Sequence, residues 1–362
     1  MHKLEFDFQL KSCYMYITNK QFNIIPYLIN KHVSNVNMIC IISDNNVSNF
    51  YLNELHNTLK SNYHKVFTEV LDAGEEIKSL RSYEKVINNL ITKGFDKNSL
   101  LISLGGGAVG DFTGFIAATY MRGIRYIHVP TSLLAHDSSI GGKVALNIGD
   151  IKNIIGTFYQ PEFIFYDIST LLTLPRNQVY AGFAEIILHG IIKEPDFLEW
   201  LYENRINLLA LKEEYITEAI VRSCKIKIDV VTKDEFDKGI RAILNFGHTF
   251  AHALESLSNY KLSHGMAVAI GMVLATAVSE ELGYCENLTN KVENILREFN
   301  LPVRIPSFID IGEIVNTMKY DKKNTNHQIN LILIENFGNV FKCDNVSSKS
   351  IEKVLGRYVE EC

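Results

Sequence analysis

The sequence of 362 residues contains no CxxC motif and no closely spaced cysteine pair; its six cysteines are Cys13, Cys40, Cys224, Cys285, Cys343 and Cys362. This argues against a disulfide framework and for reduced thiols in a cytoplasmic protein. The chain lacks an excess of positive charge: 36 Lys and Arg against 41 Asp and Glu leave a net charge of −5. That balance gives no reason to expect nucleic acid or an anionic membrane as a partner. The longest apolar stretch, around residues 266–278, falls short of the ~18 residues of a membrane span and reads as a buried helix. The start, Met1-His2-Lys3-Leu4-Glu5-Phe6-Asp7, lacks the basic-then-apolar layout of a secretion signal. There is no internal repeat and no low-complexity tract. What remains is ordinary globular material, 47% apolar and 21% charged, long enough for two domains at ~150 residues each.

The first half alternates strand and helix patterns. Leu4, Phe6, Phe8 and Leu10 recur with period two, as in a strand with one buried face. Residues 38–42 form a short apolar run that ends in the polar turn Ser43-Asp44-Asn45-Asn46. Residues 82–93 carry Val86, Leu90 and Ile91 at helical spacing, and 100–104 form an apolar strand running into Gly105-Gly106-Gly107. Two further strands are expected at 126–129 and 163–166, so this half reads as a parallel sheet covered by helices on both faces. Beyond Leu174-Pro175 long helical patterns take over, at 178–192, 212–231, 247–257, 266–282 and 287–299. A hairpin is expected about Asn336-Phe337-Gly338, between 329–334 and 339–342. The expected division is 1–174 and 175–362.

Three clusters carry candidate chemistry. A strand emptying into Gly105-Gly106-Gly107, with a helix starting near Asp111, brings backbone N–H groups and a helix dipole to one point, which suits a phosphate or dinucleotide. The spacing is not GxGxxG, and a tight turn would look the same. Asp44, at the end of an earlier strand, is placed to bond a ribose or simply to make a turn. The second cluster, Asp137-Ser138-Ser139-Ile140-Gly141-Gly142-Lys143 followed by Lys152-Asn153, sets two ammoniums beside flexible backbone; it suits an oxyanion or a solvated loop. The third sets His248 and His252 at i, i+4, with His264 just before the apolar helix and Glu185 in apolar surroundings. One carboxylate and two imidazoles are a common set for catalytic zinc, with one position left open. Glu185 and His189 are also four apart, and spacing leaves both arrangements standing. Arg122, Lys227, Arg241, Lys322 and Lys323 complete the basic residues near glycines or near the histidines, where Arg offers a two-pronged grip on a carboxylate.

In this order these segments resemble the 3-dehydroquinate synthase family of sugar-phosphate cyclases. The pieces that carry the resemblance are Gly105-Gly106-Gly107-Ala108-Val109-Gly110-Asp111, Tyr120-Met121-Arg122-Gly123, Pro130-Thr131-Ser132-Leu133-Leu134-Ala135, the Asp137–Lys143 cluster, Lys152-Asn153-Ile154-Ile155-Gly156, and the segment from Arg241 to Thr249. The resemblance implies a Rossmann-like α/β N-terminal domain that binds NAD and a mainly α-helical C-terminal domain that binds a divalent metal, Zn2+ or Co2+. It implies an active site in the cleft between them, and a homodimer. It implies that Glu185, His248 and His264 hold the metal. NAD would contact Asp44, Asn46, Glu75, Lys78, Gly106, Gly107, Asp111, Thr131, Ser132, Thr173 and Leu174, with Lys143 and Lys152 near it. The substrate would meet Arg122, Asp137, Lys143, Lys152, Asn153, Lys227, Arg241, Asn245, His252 and Lys323, and among these His252, Asp137, Lys143 and Arg241 would serve catalysis. The implied substrate is a small sugar phosphate carrying a carboxylate. It would be oxidised transiently by NAD, lose phosphate, be reduced again and close by an aldol step, leaving NAD unconsumed. A metal-dependent polyol dehydrogenase shares the glycine loop and helical ligands but would accumulate NADH. A family member that binds without catalysis is the third reading.

The sequence departs from the family pattern at named places. Glu185-Ile186-Ile187-Leu188 carries leucine where the family has lysine. His264-Gly265-Met266 has methionine in place of glutamate, Ser132 replaces a threonine, and Ala135-His136-Asp137 is one residue short. Lysine restored at 188 would raise activity if the site is merely weakened, and would not if the sequence has adapted around leucine.

Overall fold

Apolar runs without alternation mark strands buried on both faces. In the structure, a computed structural model that describes residues 1–9, 11–149, 151–259, 261–319 and 328–360, these runs lie side by side in one sheet. The chain divides into two compact units, Met1–Pro175 and Arg176–Cys362.

The first unit holds β1 (His2–Asp7), β2 (Ser12–Thr18), β3 (Ile39–Asp44), β4 (Val66–Leu71), β5 (Leu100–Gly105), β6 (Arg125–Pro130), the hairpin β7 (Lys143–Ile148) and β8 (Ile151–Phe158), and β9 (Ile164–Asp167). Seven of these form a sheet in the order β1-β2-β9-β6-β5-β3-β4, with β1 antiparallel to β2 and every other pairing parallel. Helices α1 (Ile25–His32) and α2 (Asn53–Lys60) pack one face through Ile39, Ile41, Ile102 and Ile127; α3 (Leu80–Thr92) and α4 (Gly107–Thr119) pack the other through Cys40, Ile42, Leu101 and Tyr126. The alternation of these residues along each strand is the pleat itself.

From β3 the chain crosses outward to β4, returns to β5 on the other side of β3, and continues to β6. Crossovers therefore leave β3 and β5 in opposite directions. This is a topological switch point, where open α/β sheets bind ligands beyond the carboxyl ends of the strands. Asp44 ends β3 and Gly105 ends β5. The expected polar turn after β3 is corrected here: the strand runs through Asp44, whose side chain starts a helical segment at Asn45 by accepting from the Asn46 and Val47 amides, each at 2.9 Å.

The second unit is mainly helical: α5 (Arg176–Ile192), α6 (Pro195–Glu203), α7 (Glu213–Lys233), α8 (His248–Leu257), α9 (His264–Glu281), α10 (Leu288–Glu298), α11 (Ile311–Lys319) and α12 (Ser348–Leu355), with the hairpin β10 (Leu331–Asn336) and β11 (Asn339–Cys343). α5 and α9 are apolar around most of their circumference because both are buried in the unit's core. No helix among the described residues is long and apolar enough to cross a membrane.

One buried base stands out beneath α4. His128 on β6 sits beside Ser103 of β5 with no partner for its Nε2 among the described residues, and burial lowers its imidazole from 6.5 to about 4. The unfolded chain therefore takes up a proton below about pH 6.5 that the folded chain refuses until about pH 4. Stability from this residue is complete above pH 6.5 and falls by about 3 kcal/mol as pH drops through that window. In urea unfolding at pH 7 and pH 4.5, His128→Leu should remove a measurable part of the acid sensitivity; equal losses in both proteins would refute this.

Candidate cofactor and metal sites

In the first unit, α4 begins directly after the β5 glycines, with Gly106 at its N-cap and extended. A Cβ on Gly107 would lie 3.0 Å from Ser138 Oγ, and one on Gly106 3.5 Å from Ser132 Oγ. The backbone is thus open to close approach at a helix N-terminus, with hydroxyls facing it. Ser138 Oγ is buried and has no partner among the described residues. An orphaned donor opposite a helix N-terminus fits a phosphate-bearing cofactor. Thr131 is buried beside this loop, its amide bonded to the Gly105 carbonyl at 3.0 Å. Asp44 is also buried and acts as a helix cap, while Asn46 is exposed.

A second group of the expected residues meets around Lys78. This lysine is 2% exposed; its Nζ donates to Asp111 Oδ2 at 2.6 Å and to Asn153 Oδ1, and lies 3.9 Å from Glu75. Glu75 also lies 3.9 Å from Lys152. Asn147, on β7, joins them by donating to Glu75 at 3.1 Å and accepting from the Asn153 amide at 2.9 Å. Sequence reading missed Asn147, because only the hairpin pairing brings it across to residue 153. Lys143 is exposed at the start of β7, and Asp137 lies in a short helical turn, Ala135–Ser138. Thr173 bonds Tyr51 at 2.5 Å, and Leu174 follows it. Arg122 is exposed in the turn after α4, in the left-handed region with φ 65°.

In the second unit, three helices deliver the expected ligand set. Glu185 is buried in the middle of α5, His248 opens α8 and His264 opens α9. Glu185 Oε1 lies 3.4 Å from His248 Nε2 and 3.4 Å from His264 Nε2. Ligand atoms at the corners of a tetrahedron with ~2.0–2.1 Å bonds lie about 3.3 Å apart, so these two separations match a zinc-sized ion, and all three atoms lie within 4.8 Å of one another. Each ring is held at its other nitrogen: His248 Nδ1 donates to the Phe246 carbonyl at 3.3 Å, and His264 Nδ1 to Glu255 Oε2 at 3.1 Å. Burial opposes charge on His264, but its bonds to Glu185 and Glu255 prevail and raise it to about 10. A proton here occupies the place of a cation between two carboxylates. His189, the rival partner of Glu185, instead meets Ser223 at 2.7 Å and is not in the cluster.

Backbone contact sets this geometry. A Cβ on Gly265 would fall 1.9 Å from the Ala181 carbonyl oxygen, one turn before Glu185, and a Cβ on Gly271 2.1 Å from the Gly247 oxygen. α9 therefore touches both α5 and the start of α8 directly. Around the cluster, His252 stands one turn along α8, its ring 5.9 Å from that of His248. Arg241 is buried in the helical turn Ile240–Asn245, its Nη1 bonded to the Glu235 carbonyl at 2.6 Å. Asp234 accepts the amides of Lys238, Gly239 and Arg241 and so shapes that turn. Lys227 is buried on α7, against which the turn packs, and Asn245 ends the turn. Lys322 and Lys323 lie outside the described residues.

An α/β sheet unit followed by a mainly helical unit is a fold that solved structures of a sugar-phosphate cyclase and of alcohol dehydrogenases share with this chain. The chain matches the structure titled 2-deoxy-scyllo-inosose synthase complexed with carbaglucose-6-phosphate, NAD+ and Co2+ at a TM-score of 0.90 and 22% identity, over 99% of this chain and 100% of that one. It matches glycerol dehydrogenase from Schizosaccharomyces pombe at 0.67 and 15%, over 95% and 88%. Sequence is more specific. Residues 68–181 match the family model described as 3-dehydroquinate synthase N-terminal, and 182–324 the one described as 3-dehydroquinate synthase C-terminal. The 3-dehydroquinate synthase of Thermodesulfovibrio yellowstonii is 40% identical over 88% of this chain and 89% of its own; that of a Thermoanaerobacter species is 38% identical over 98% and 100%. The chain belongs to the 3-dehydroquinate synthase family.

If helix contact sets the ligand spacing, Gly265→Ala must push α9 from α5. The variant should bind Zn2+ at least about tenfold more weakly than the parent in a chelator competition, and unfold earlier. Unchanged affinity would show that the spacing does not depend on this contact.

Proposed function

We propose that this chain is a 3-dehydroquinate synthase, converting 3-deoxy-D-arabino-heptulosonate 7-phosphate into 3-dehydroquinate and phosphate. The observation that supports this most is the run of both family halves, in order, across residues 68–324, enclosing a carboxylate and two imidazoles at ligand spacing. Glu185, His248 and His264 would hold Zn2+ or Co2+, while Asp44, Asn46, Glu75, Lys78, Gly106, Gly107, Asp111, Thr131, Ser132, Thr173 and Leu174 would hold NAD. When bound, the metal supplies Lewis acidity toward a substrate hydroxyl, and NAD accepts and returns one hydride.

The chain's own side chains have the remaining tasks. The substrate brings a phosphate and a carboxylate. Lys143, Asn153 and Lys323 suit the phosphate, with Lys152 at its junction with the cofactor. Arg241 suits the carboxylate, its planar head already steered by a backbone carbonyl, and Lys227 adds a second buried cation. Arg122 and Asn245 are further substrate contacts. Asp137 and His252 would orient hydroxyl groups and carry protons during elimination and ring closure. The reading includes a cytoplasmic homodimer; the exposed strand β8, with Ile151, Ile154 and Ile155 in solvent, supports association.

Two experiments test this. In an assay following phosphate release and NADH absorbance together, the heptulosonate phosphate with NAD+ and Zn2+ should release phosphate with no net NADH. NADH accumulating from a simple polyol would instead establish a dehydrogenase. Leu188 decides the second. It is fully buried one turn after Glu185, so an ammonium there would be desolvated. Leu188→Lys should destabilise the protein by at least about 2 kcal/mol and lower turnover; a gain in turnover would show a site weakened by leucine.

A further inference from the structure

We infer that Glu255 is a positioning residue for the metal site, fixing the ring of His264 and supplying the second negative charge that a divalent cation needs there. The inference rests on the reading of Glu185, His248 and His264 as metal ligands. Glu255 lies on α8 seven residues after His248, on the same face of the helix as His248 and His252. It is 4% exposed. A carboxylate so buried is expensive unless something nearby calls for charge.

Its contact with His264 supplies one. Glu255 Oε2 lies 3.1 Å from His264 Nδ1, so that nitrogen carries a proton whether or not a metal is bound, while Nε2 lies 3.4 Å from Glu185 Oε1 and would offer its lone pair to a metal that takes the place of its own proton. His248 reaches the same state by another route, with Nδ1 against the Phe246 carbonyl. Both rings then present Nε2 to one carboxylate oxygen. The two holders differ in kind. A backbone carbonyl only orients, whereas Glu255 both orients and adds a full charge. Glu185 and Glu255 together carry −2, which a divalent ion neutralises; with Glu185 alone the loaded site would keep a buried excess of +1.

Two variants separate these contributions in the full-length protein. Glu255→Gln keeps an oxygen to accept from Nδ1 and removes the charge. Glu255→Ala removes both. Metal-free protein is titrated with Co2+ and Zn2+ against a chromophoric chelator, with the visible Co2+ spectrum recorded and unfolding of the metal-free forms followed by circular dichroism. Glu255→Gln should bind about 10-fold more weakly and Glu255→Ala about 100-fold, with an altered Co2+ spectrum in the alanine variant, while the metal-free proteins remain folded. If the alanine variant does not fold, the near-isosteric glutamine variant decides. Parental affinity and spectrum in folded variants would overturn the inference and leave the metal reading intact. A parent that takes up no Co2+, indistinguishable from His248→Ala, would overturn the metal reading and this inference with it.

Discussion

The second unit is organised by backbone contacts between helices at positions where a side chain is missing. Packed helices ordinarily keep their axes 8–10 Å apart because side chains fill the space between them. At Gly265 and at the Gly247–Gly271 contact there is no such filler, and α9 meets the backbone of α5 and of α8. The three residues of the candidate metal site are next to these contacts: His264 precedes Gly265, His248 follows Gly247, and Glu185 is one turn from Ala181. Small displacements at the contacts are therefore displacements of these three side chains. Both histidines also open their helices, where unpaired amides and the helix dipole are positive. That field favours the two carboxylates that gather there.

Charge is handled in the same way throughout. The net −5 suggests a mildly acidic surface and conceals buried cations: Lys78, Lys227 and Arg241 are each under a tenth exposed. Burying such groups is unfavourable, and ion pairs such as Lys78–Asp111 recover the loss only in good geometry. Apolar residues of similar size would hold the fold together as well. Positions where a chain keeps charge in its core against that preference are those where fold and function pull apart. Here they coincide with the glycine loop in one unit and the histidine cluster in the other.

How much of this was legible in the sequence follows from how each element is solvated. The central strands are buried on both faces, so β3 and β5 stand out as apolar runs, and the long helices show their period over several turns. The α/β class and the helical second half were readable for that reason. β8 was not, because nearly every residue of it is exposed and no alternation of buried and polar positions is left to detect. β1 ends at Asp7, before the Phe8 and Leu10 positions that prolonged its pattern, and Leu10 lies outside the described residues. The ligand cluster was half legible. Spacing on one helix links His248 to His252, but only the crossing of α5, α8 and α9 separates His264 from His189 as the companion of Glu185. Glu255 had a usable signal, the i, i+4, i+7 series with His248 and His252, which an eye set on ligands passes over.

Leu188 shows what remains once fold and site are in place. It shares with Glu185 the face of α5 one turn on, where the resemblance implies a lysine, and its side chain is fully buried. That face thus offers one negative group and no positive one. The buried cations of this unit lie on other elements, Lys227 on α7 and Arg241 in the turn before α8. Arg241 is the less replaceable of the two. Its turn is held by Asp234 through three amides, and its guanidinium is directed by a carbonyl, so its orientation is set before any ligand arrives. A site that loses one cation from a helix can keep its selectivity if a remaining cation is rigid, because preorganisation lowers the entropy lost on binding. Under the proposed reading, with leucine at 188 the carboxylate falls to Arg241, the better fixed of the two buried cations, because its turn sets its orientation in advance.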